Sequence, residues 1–248
     1  MSVSFSTAVV TGASRGFGRA IAAALVGQGV RVVGIARDEG ELRAVRDGLG
    51  EGFVPLAADA ADEVLAEEVI REYRPGVLVL NAGAAPHMAP VQEQTWETFS
   101  RHWHSDTRHV FAWTRAALRE PLAPGSVVVS MSSGAALAGS PLSGGYASAK
   151  AAIRYLNGYA VGVSQAAGLG IRFHTLLPNM TPEGHVGSVA VDGYAASQGV
   201  DRETFIKGRE QPILTAEQVA KCVVEVVQDS GSATEYQVTG AAGLRPVD

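Results

Sequence analysis

The chain is almost without cysteine. Cys222 stands alone among 248 residues, so no intrachain disulfide can form and a reducing compartment is expected. Cys222 shares a helical spacing with Val219, Val223 and Val226, which makes it a core residue and not a nucleophile. Charge of one sign is also lacking. The formal net charge is −5 with no basic stripe, which argues against nucleic acid as the main partner. No apolar run approaches the roughly 20 residues of a bilayer span. The segment Met1–Thr7 has neither a basic start nor an apolar signal core. The expectation is a soluble cytoplasmic protein with no membrane partner. Glycine, in contrast, is abundant at 29 residues, but no G-X-Y repeat accompanies it, so collagen is excluded. An apolar content of 46% excludes a disordered chain.

Short apolar runs alternate with helical patterns. Strands are predicted at Ala8–Val10, Val30–Ala36, Phe53–Ala57, Gly76–Leu80, Ser126–Met131 and Ile171–Leu177, with a short last one at Tyr236–Val238. Between them, Phe17, Ala20, Ile21, Ala24 and Leu25 recur at helical spacing, closed by Gly27 and Gly29. Further helices are predicted over 41–48, over 62–73 with Asp62 as cap, and over 95–118, 145–167 and 215–227, the last capped by Thr215. Residues 178–212 read as irregular and polar, with short helices. β-α alternation with strands apolar throughout predicts an α/β fold: a doubly wound, Rossmann-type parallel sheet of about seven strands, covered on both faces. No repeat or linker divides the chain, so residues 1–248 are expected to form a single domain.

The first strand runs into Thr11-Gly-Ala-Ser-Arg-Gly-Phe-Gly18 and then a helix. Gly12 permits a tight turn, Gly16 a close backbone approach to a pyrophosphate, and Gly18 close packing of helix on strand. Ser14, Arg15 and Phe17 complete the loop. Farther on, Tyr146 and Lys150 stand four residues apart on a predicted helix and share a face. A free phenol loses its proton only near about pH 10, and a nearby ammonium favours the phenolate. Such a pair suits proton exchange with an alcohol or ketone oxygen. Ser133 follows a strand end, where open α/β sheets bind ligands, and its hydroxyl can polarise that oxygen. Strand alternation points the adjacent Ser132 elsewhere. His102, His104 and His109 do not fall on one helical face and have no companion cysteine, so no metal site is expected.

The glycine loop, Asn81-Ala-Gly83, Ser132-Ser133 and Tyr146-Ala-Ser-Ala-Lys150, in this order and spacing, resemble the classical short-chain dehydrogenase/reductase family. The resemblance covers about residues 5–178. It implies an oxidoreductase in which Tyr146 is the general acid/base, Ser133 orients the substrate oxygen, and Lys150 holds the cofactor ribose and tunes Tyr146. It also implies cofactor contacts at Asp59 and Ala60 (adenine), at Asn81, Ala82 and Gly83 (ribose), and at Pro178. The family's active-site asparagine is missing. Alignment back from Phe111 puts Asp106 in its place, while alignment forward from Trp96 puts Trp103 there; Asp106 is preferred as nearly isosteric with asparagine. Glu183 stands where the family has a threonine, Thr181 is out of register, and the tail from Thr239 to Asp248 departs from the family's usual ending.

Arg37 directly follows the second strand, and Arg15 lies in the glycine loop. Guanidinium groups suit a 2′-phosphate, so NADP(H) is the expected cofactor, with NAD(H) possible. Asp38 is placed to cap the next helix. The function expected is interconversion of a small-molecule carbonyl and a secondary alcohol. The alternative is a catalytically silent NADP(H)-binding sensor or scaffold. The resemblance also implies a homo-oligomer, tetramer or dimer, joined through the two long helices, with Trp113, Tyr155 and Tyr159 available for contacts. Residues 179–212 are the expected substrate lid.

Overall fold

Parallel pairing of seven apolar segments builds the sheet: β1 (Thr7–Thr11), β2 (Arg31–Ala36), β3 (Phe53–Ala57), β4 (Val77–Leu80), β5 (Val127–Met131), β6 (Arg172–Pro178) and β7 (Glu235–Thr239). An eighth strand, β8 (Gly243–Pro246), pairs antiparallel with β7, and the order is β3-β2-β1-β4-β5-β6-β7-β8. The structure, a computed structural model, describes residues 5–209, 212–228, 231 and 233–247. Strand β8 was not expected from the sequence. It is short and ends at Pro246, which an edge strand tolerates because one side of it needs no ladder partner.

The helices are α1 (Gly16–Gly27), α2 (Glu39–Leu49), α3 (Glu63–Tyr73), α4 (Trp96–His102), α5 (Arg108–Arg119), α6 (Ala135–Ala138), α7 (Gly144–Ala166), α8 (Gly184–Gln198), α9 (Arg202–Lys207) and α10 (Ala216–Gln228). Their starts follow the cap chemistry in the sequence. Asp38 accepts the Glu41 N–H at 2.9 Å and Asp62 the Val64 N–H at 2.8 Å. Thr215 and Gln218 exchange side chain-to-backbone bonds of 2.9 and 3.2 Å, a capping box that opens α10.

Strands β4 and β5 are buried along their whole length, because helices cover both faces. On one face Ile21 and Leu25 of α1, Leu42 of α2, and Val219 and Val223 of α10 pack on Val10, Val79 and Val129. Cys222 lies in this cluster, as its spacing predicts. On the other face Val69 of α3, Trp113 of α5 and Ile153 of α7 pack on Val9, Leu78 and Val128. Trp113 is therefore core and unavailable to a partner chain.

One helical expectation is refined and one corrected. The helix over 95–118 runs without a gap, but α4 passes through a π-helical turn at Trp103–Thr107 before α5 begins. The widened turn carries Asp106 inward while Trp103 stays 41% exposed. Residues 178–212 are mostly helical, with 15 residues in α8 alone. Residues 210 and 211 of the expected lid lie outside the described residues.

Candidate active site

At the carboxyl edge of the sheet, β1 enters the glycine loop with Gly12 at φ +66° and Gly16 at φ +53°. A Cβ on Gly12 would lie 2.9 Å from Asn81 Nδ2 and 3.0 Å from Ala82 Cα, and one on Gly18 only 2.0 Å from the Gly12 carbonyl. The loop can thus fold back on β4, and α1 can start against it, only without side chains at these places. Thr11 locks the junction, since its hydroxyl accepts the Asn81 and Ala82 N–H groups at 2.9 and 3.0 Å. Thr11 was not singled out from the sequence. The Asn81 side chain also turns to this loop, donating to the Thr11 carbonyl at 3.0 Å, so its amide supports the loop backbone.

The loop opens into a cavity of about 860 Å³. Its walls bring together Gly12, Ser14, Arg15, Gly16, Phe17, Arg37, Asp59, Ala60, Asn81, Ala82, Gly83, Asp106, Ser133, Tyr146, Lys150 and Pro178. Of the expected site residues only Gly18 is not in the lining, because it is packed behind the loop. The Asp59 carboxylate caps a turn through the Ala61 N–H at 2.9 Å, and the residue lines the cavity. The Ala60 carbonyl accepts the Trp113 indole N–H at 2.9 Å.

Tyr146 and Lys150 lie on α7, whose start is pressed against α4. A Cβ on Gly145 would meet the Phe99 carbonyl at 2.3 Å, so the helices nearly touch one residue before Tyr146. This contact brings the His102 ring edge-on to Tyr146, with centroids 5.2 Å apart. The Lys150 ammonium sits 5.5 Å from the centroid of the Tyr146 ring. It donates to the Met131 carbonyl at 3.1 Å and lies 3.2 Å from Asp106 Oδ2. Ser132 also borders the cavity, but its hydroxyl is spent on the Lys150 carbonyl at 2.8 Å. Ser133 Oγ accepts the Ala135 N–H at 3.2 Å, leaving its own hydroxyl proton to donate.

Asp106 is only 1% exposed and Lys150 5%. Asp106 Oδ1 also accepts from the Ala84 N–H at 3.0 Å and the Ser105 hydroxyl at 2.7 Å. Burial pushes the Asp106 carboxyl up, but the Lys150 ammonium, His102 and Ser105 outweigh it and hold it well below the usual carboxylate range. Burial likewise pushes the Lys150 ammonium down, and Asp106 and Tyr146 outweigh it, so that it titrates above its ordinary value. Both groups are charged at neutral pH. The close neighbour of this pair is Gly83, where a Cβ would lie 2.9 Å from Asp106 Oδ2 and 3.6 Å from Lys150 Nζ. His109 is buried nearby, and burial lowers its pKa to about 4. Among the described residues no group of three His, Cys, Asp or Glu could hold a metal ion.

The sequence profile of the short chain dehydrogenase family matches residues 6–191. The chain belongs to this family. Carbonyl reductase [NADPH] 2 of Sus scrofa is 28% identical over 242 residues, 94% of each chain. Sorbitol dehydrogenase of Cereibacter sphaeroides is 28% identical over 83% of this chain and 79% of its own. Serine 3-dehydrogenase of Agrobacterium fabrum is 30% identical over 70% and 71%. A solved short-chain dehydrogenase/reductase from Brucella melitensis shares the fold at a TM-score of 0.80, with 23% identity over 96% of this chain and 98% of that one. This short-chain dehydrogenase/reductase is accordingly an oxidoreductase acting on carbonyl or alcohol groups of small molecules, in a family that binds nicotinamide cofactors.

Over this dehydrogenase's cavity lies α8. A Cβ on Gly184 would be 3.8 Å from Gly16 Cα, so the start of α8 reaches the glycine loop. The Glu183 carboxylate, in the family threonine's place, accepts the Ala216 N–H at 2.8 Å and is engaged at the start of α10. Thr181 accepts the Glu183 N–H at 3.1 Å. Farther along α8, the Tyr194 hydroxyl bonds to Ser140, itself 2.6 Å from Ser143, and the Tyr194 ring stacks on Phe205 with centroids 6.2 Å apart. Helix α8 is thereby pinned to the segment preceding α7. Among the described residues no helix is long and apolar enough to cross a membrane.

Two contacts at the site were not predicted from the sequence. His102 is one i,i+4 step from Asp106, with Nδ1 3.5 Å from Oδ1. Glu41 bonds to Ser14 across 27 residues of chain. The first had a signal in its spacing; the second had none beyond an acid in the first turn of α2.

Proposed function

We propose that the chain is an NADP(H)-dependent oxidoreductase that interconverts a carbonyl and a secondary alcohol, with Tyr146 as general acid/base. The observation that carries this reading is the convergence of Ser133, Tyr146 and Lys150 on one cavity that Arg15 and Arg37 also line. The glycine cradle fits a dinucleotide, since its turn admits no Cβ at Gly12 and leaves backbone N–H groups at the start of α1 for an anion. The bound nicotinamide would supply or receive the hydride. Tyr146 would exchange a proton with the substrate oxygen, and Ser133 would donate a hydrogen bond to that oxygen. Lys150, held from behind by Asp106 and the Met131 carbonyl, would keep a positive charge beside Tyr146 and bind the ribose. The remaining expected residues would hold the dinucleotide: Ser14, Arg15, Gly16, Phe17 and Arg37 along its phosphates, Asp59 and Ala60 at adenine, Ala82, Gly83 and Pro178 toward the nicotinamide. The whole chain would act as one domain, with α8 and α9 as the lid.

NADP(H) preference rests on the two arginines and on relatives named for NADPH or NADP. Calorimetric Kd values for NADPH and NADH test it. NADPH is expected to bind more tightly, and equal affinities would reject the assignment.

Asp106 in place of a neutral amide adds an anion that partly offsets Lys150. Asp106→Asn is therefore expected to move the rising limb of the alcohol-oxidation pH–rate profile down by about one pH unit. An unchanged profile would show that Asp106 is not coupled to turnover.

A homo-oligomer is proposed from the outer faces of α5 and α7. Tyr155 and Tyr159 are 70% and 68% exposed there, beside Trp103, Phe111 and Leu156 in an apolar groove. So much aromatic surface on a water-facing helix fits a covered face. Light scattering that returns the 25.7 kDa of one chain would dismiss it.

A further inference from the structure

Glu41 occupies the third position of α2, after the Asp38 cap. An acid at this place ordinarily reaches back to the N–H of the capping residue and closes a capping box. Here Asp38 accepts the Glu41 N–H at 2.9 Å, but the Glu41 carboxylate turns to the glycine loop. Its Oε2 accepts the Ser14 hydroxyl at 2.7 Å, and its Oε1 lies 3.6 Å from Arg15 Nη1. Ser14 and Arg15 of the glycine loop and Arg37 after β2 all line the cavity and carry side-chain donors. Arg37 has no ion-pair partner among the described residues, whereas Ser14 and Arg15 already hold an anion supplied by the chain. One oxygen on a hydroxyl and one beside a guanidinium is the arrangement a phosphate monoester would take from the same donors.

We propose that Glu41 is a resident anion that competes with the cofactor's 2′-phosphate for Ser14 and Arg15, and so limits the preference for NADP(H) over NAD(H). The inference rests on the NADP(H) reading of Arg15 and Arg37. NADPH must displace the carboxylate and then sit close to its charge. NADH carries an uncharged hydroxyl at that position and needs no such displacement. Glu41 is thus a specificity-determining residue on α2, outside the glycine loop and outside the strand end where an NAD-selecting acid would stand.

The test is titration of the full-length wild-type protein and its Glu41→Gln variant with NADPH, NADH and adenosine 2′,5′-bisphosphate. Glutamine keeps the shape and removes the charge. NADPH and the bisphosphate are expected to bind the variant roughly three- to ten-fold more tightly, the size of a charge–charge repulsion near a protein surface. NADH is expected to change by less than about two-fold, and the gain for NADPH is expected to shrink in high salt. Glu41→Ala, which has no reach to Ser14, is expected to shift affinity in the same direction. Unchanged or weaker NADPH binding by the variants would overturn the proposal whatever the wild-type preference. Equal weakening of NADPH and NADH would overturn it too, showing that Glu41 only shapes the loop. Equal wild-type affinities would reject the NADP(H) reading of the arginines, but tighter NADPH binding by Glu41→Gln would still uphold the competition.

Discussion

Tyr146→Phe is expected to lower turnover by about two to four orders of magnitude, the usual contribution of a positioned proton donor, while nicotinamide cofactor still binds. The variant removes one oxygen atom. Among the described residues the Tyr146 hydroxyl has no hydrogen-bond partner in the chain, so its loss leaves no buried group unpaired. The ring keeps its edge-on contact with His102 and its place beside Lys150. Thermal stability and cofactor affinity should therefore stay near wild type while kcat falls. Steady-state kinetics with a cofactor titration on the same sample check this. Turnover close to wild type would remove Tyr146 from the chemistry.

Lys150→Met is expected to lose both turnover and stability. Lys150 is the cation beside a carboxylate that is 1% exposed, with 3.2 Å between Nζ and Oδ2. Removing one partner of such a pair costs on the order of 3–5 kcal/mol, because the other charge is left buried alone. For a chain of this size that is a fall in Tm of roughly 10 °C. The pH dependence separates this cause from lost packing. In the wild type Asp106 is depressed below its unfolded value, so its contribution is present above about pH 3.9 and fades only as pH falls toward its lower folded value. Lys150 is raised, so its contribution is full below about pH 10.4 and is lost as pH rises through its higher folded value. The pair is thus intact across the neutral range. Without Lys150, burial raises the Asp106 carboxyl, and the variant gains from protonating it. The stability deficit should shrink as pH falls from about 7 toward 4. Denaturant melts at several pH values measure it, and a deficit of the same size throughout would point to lost packing alone.

Much of this site was legible in the sequence because its residues sit at fixed offsets within single elements. Gly12, Gly16 and Gly18 span one loop between an apolar strand and an amphipathic helix. Tyr146 and Lys150 are one turn apart on α7. Asp38, Asp62 and Thr215 are local caps. These signals survive without knowledge of distant partners. The choice between Asp106 and Trp103 could not be settled by counting, because the π-helical turn at Trp103–Thr107 changes which side chains face inward. Only the fold shows Asp106 buried beside Lys150 and Trp103 outside.

Helix α8 and the far edge of the sheet were less legible for other reasons. Helix α8 contains Gly184, Gly187 and Gly193, which lower helix propensity. Their smallness is needed by tertiary contacts instead: a Cβ on Gly187 would meet the Thr181 carbonyl at 1.9 Å, and one on Gly193 the Met88 side chain at 2.8 Å. Strand β8 spans four residues, too few to show an alternating pattern. Glu41 and Ser14 meet through tertiary structure across 27 residues, and no local rule links them.

The most direct test of the central claim is the absorbance of reduced nicotinamide followed with a panel of ketones and secondary alcohols. The account predicts NADPH oxidation by at least one ketone in the wild type, reversed with the matching alcohol and NADP⁺. Saturable NADPH binding with no oxidation or reduction across the panel would contradict it, and would leave a silent dinucleotide-binding protein in its place.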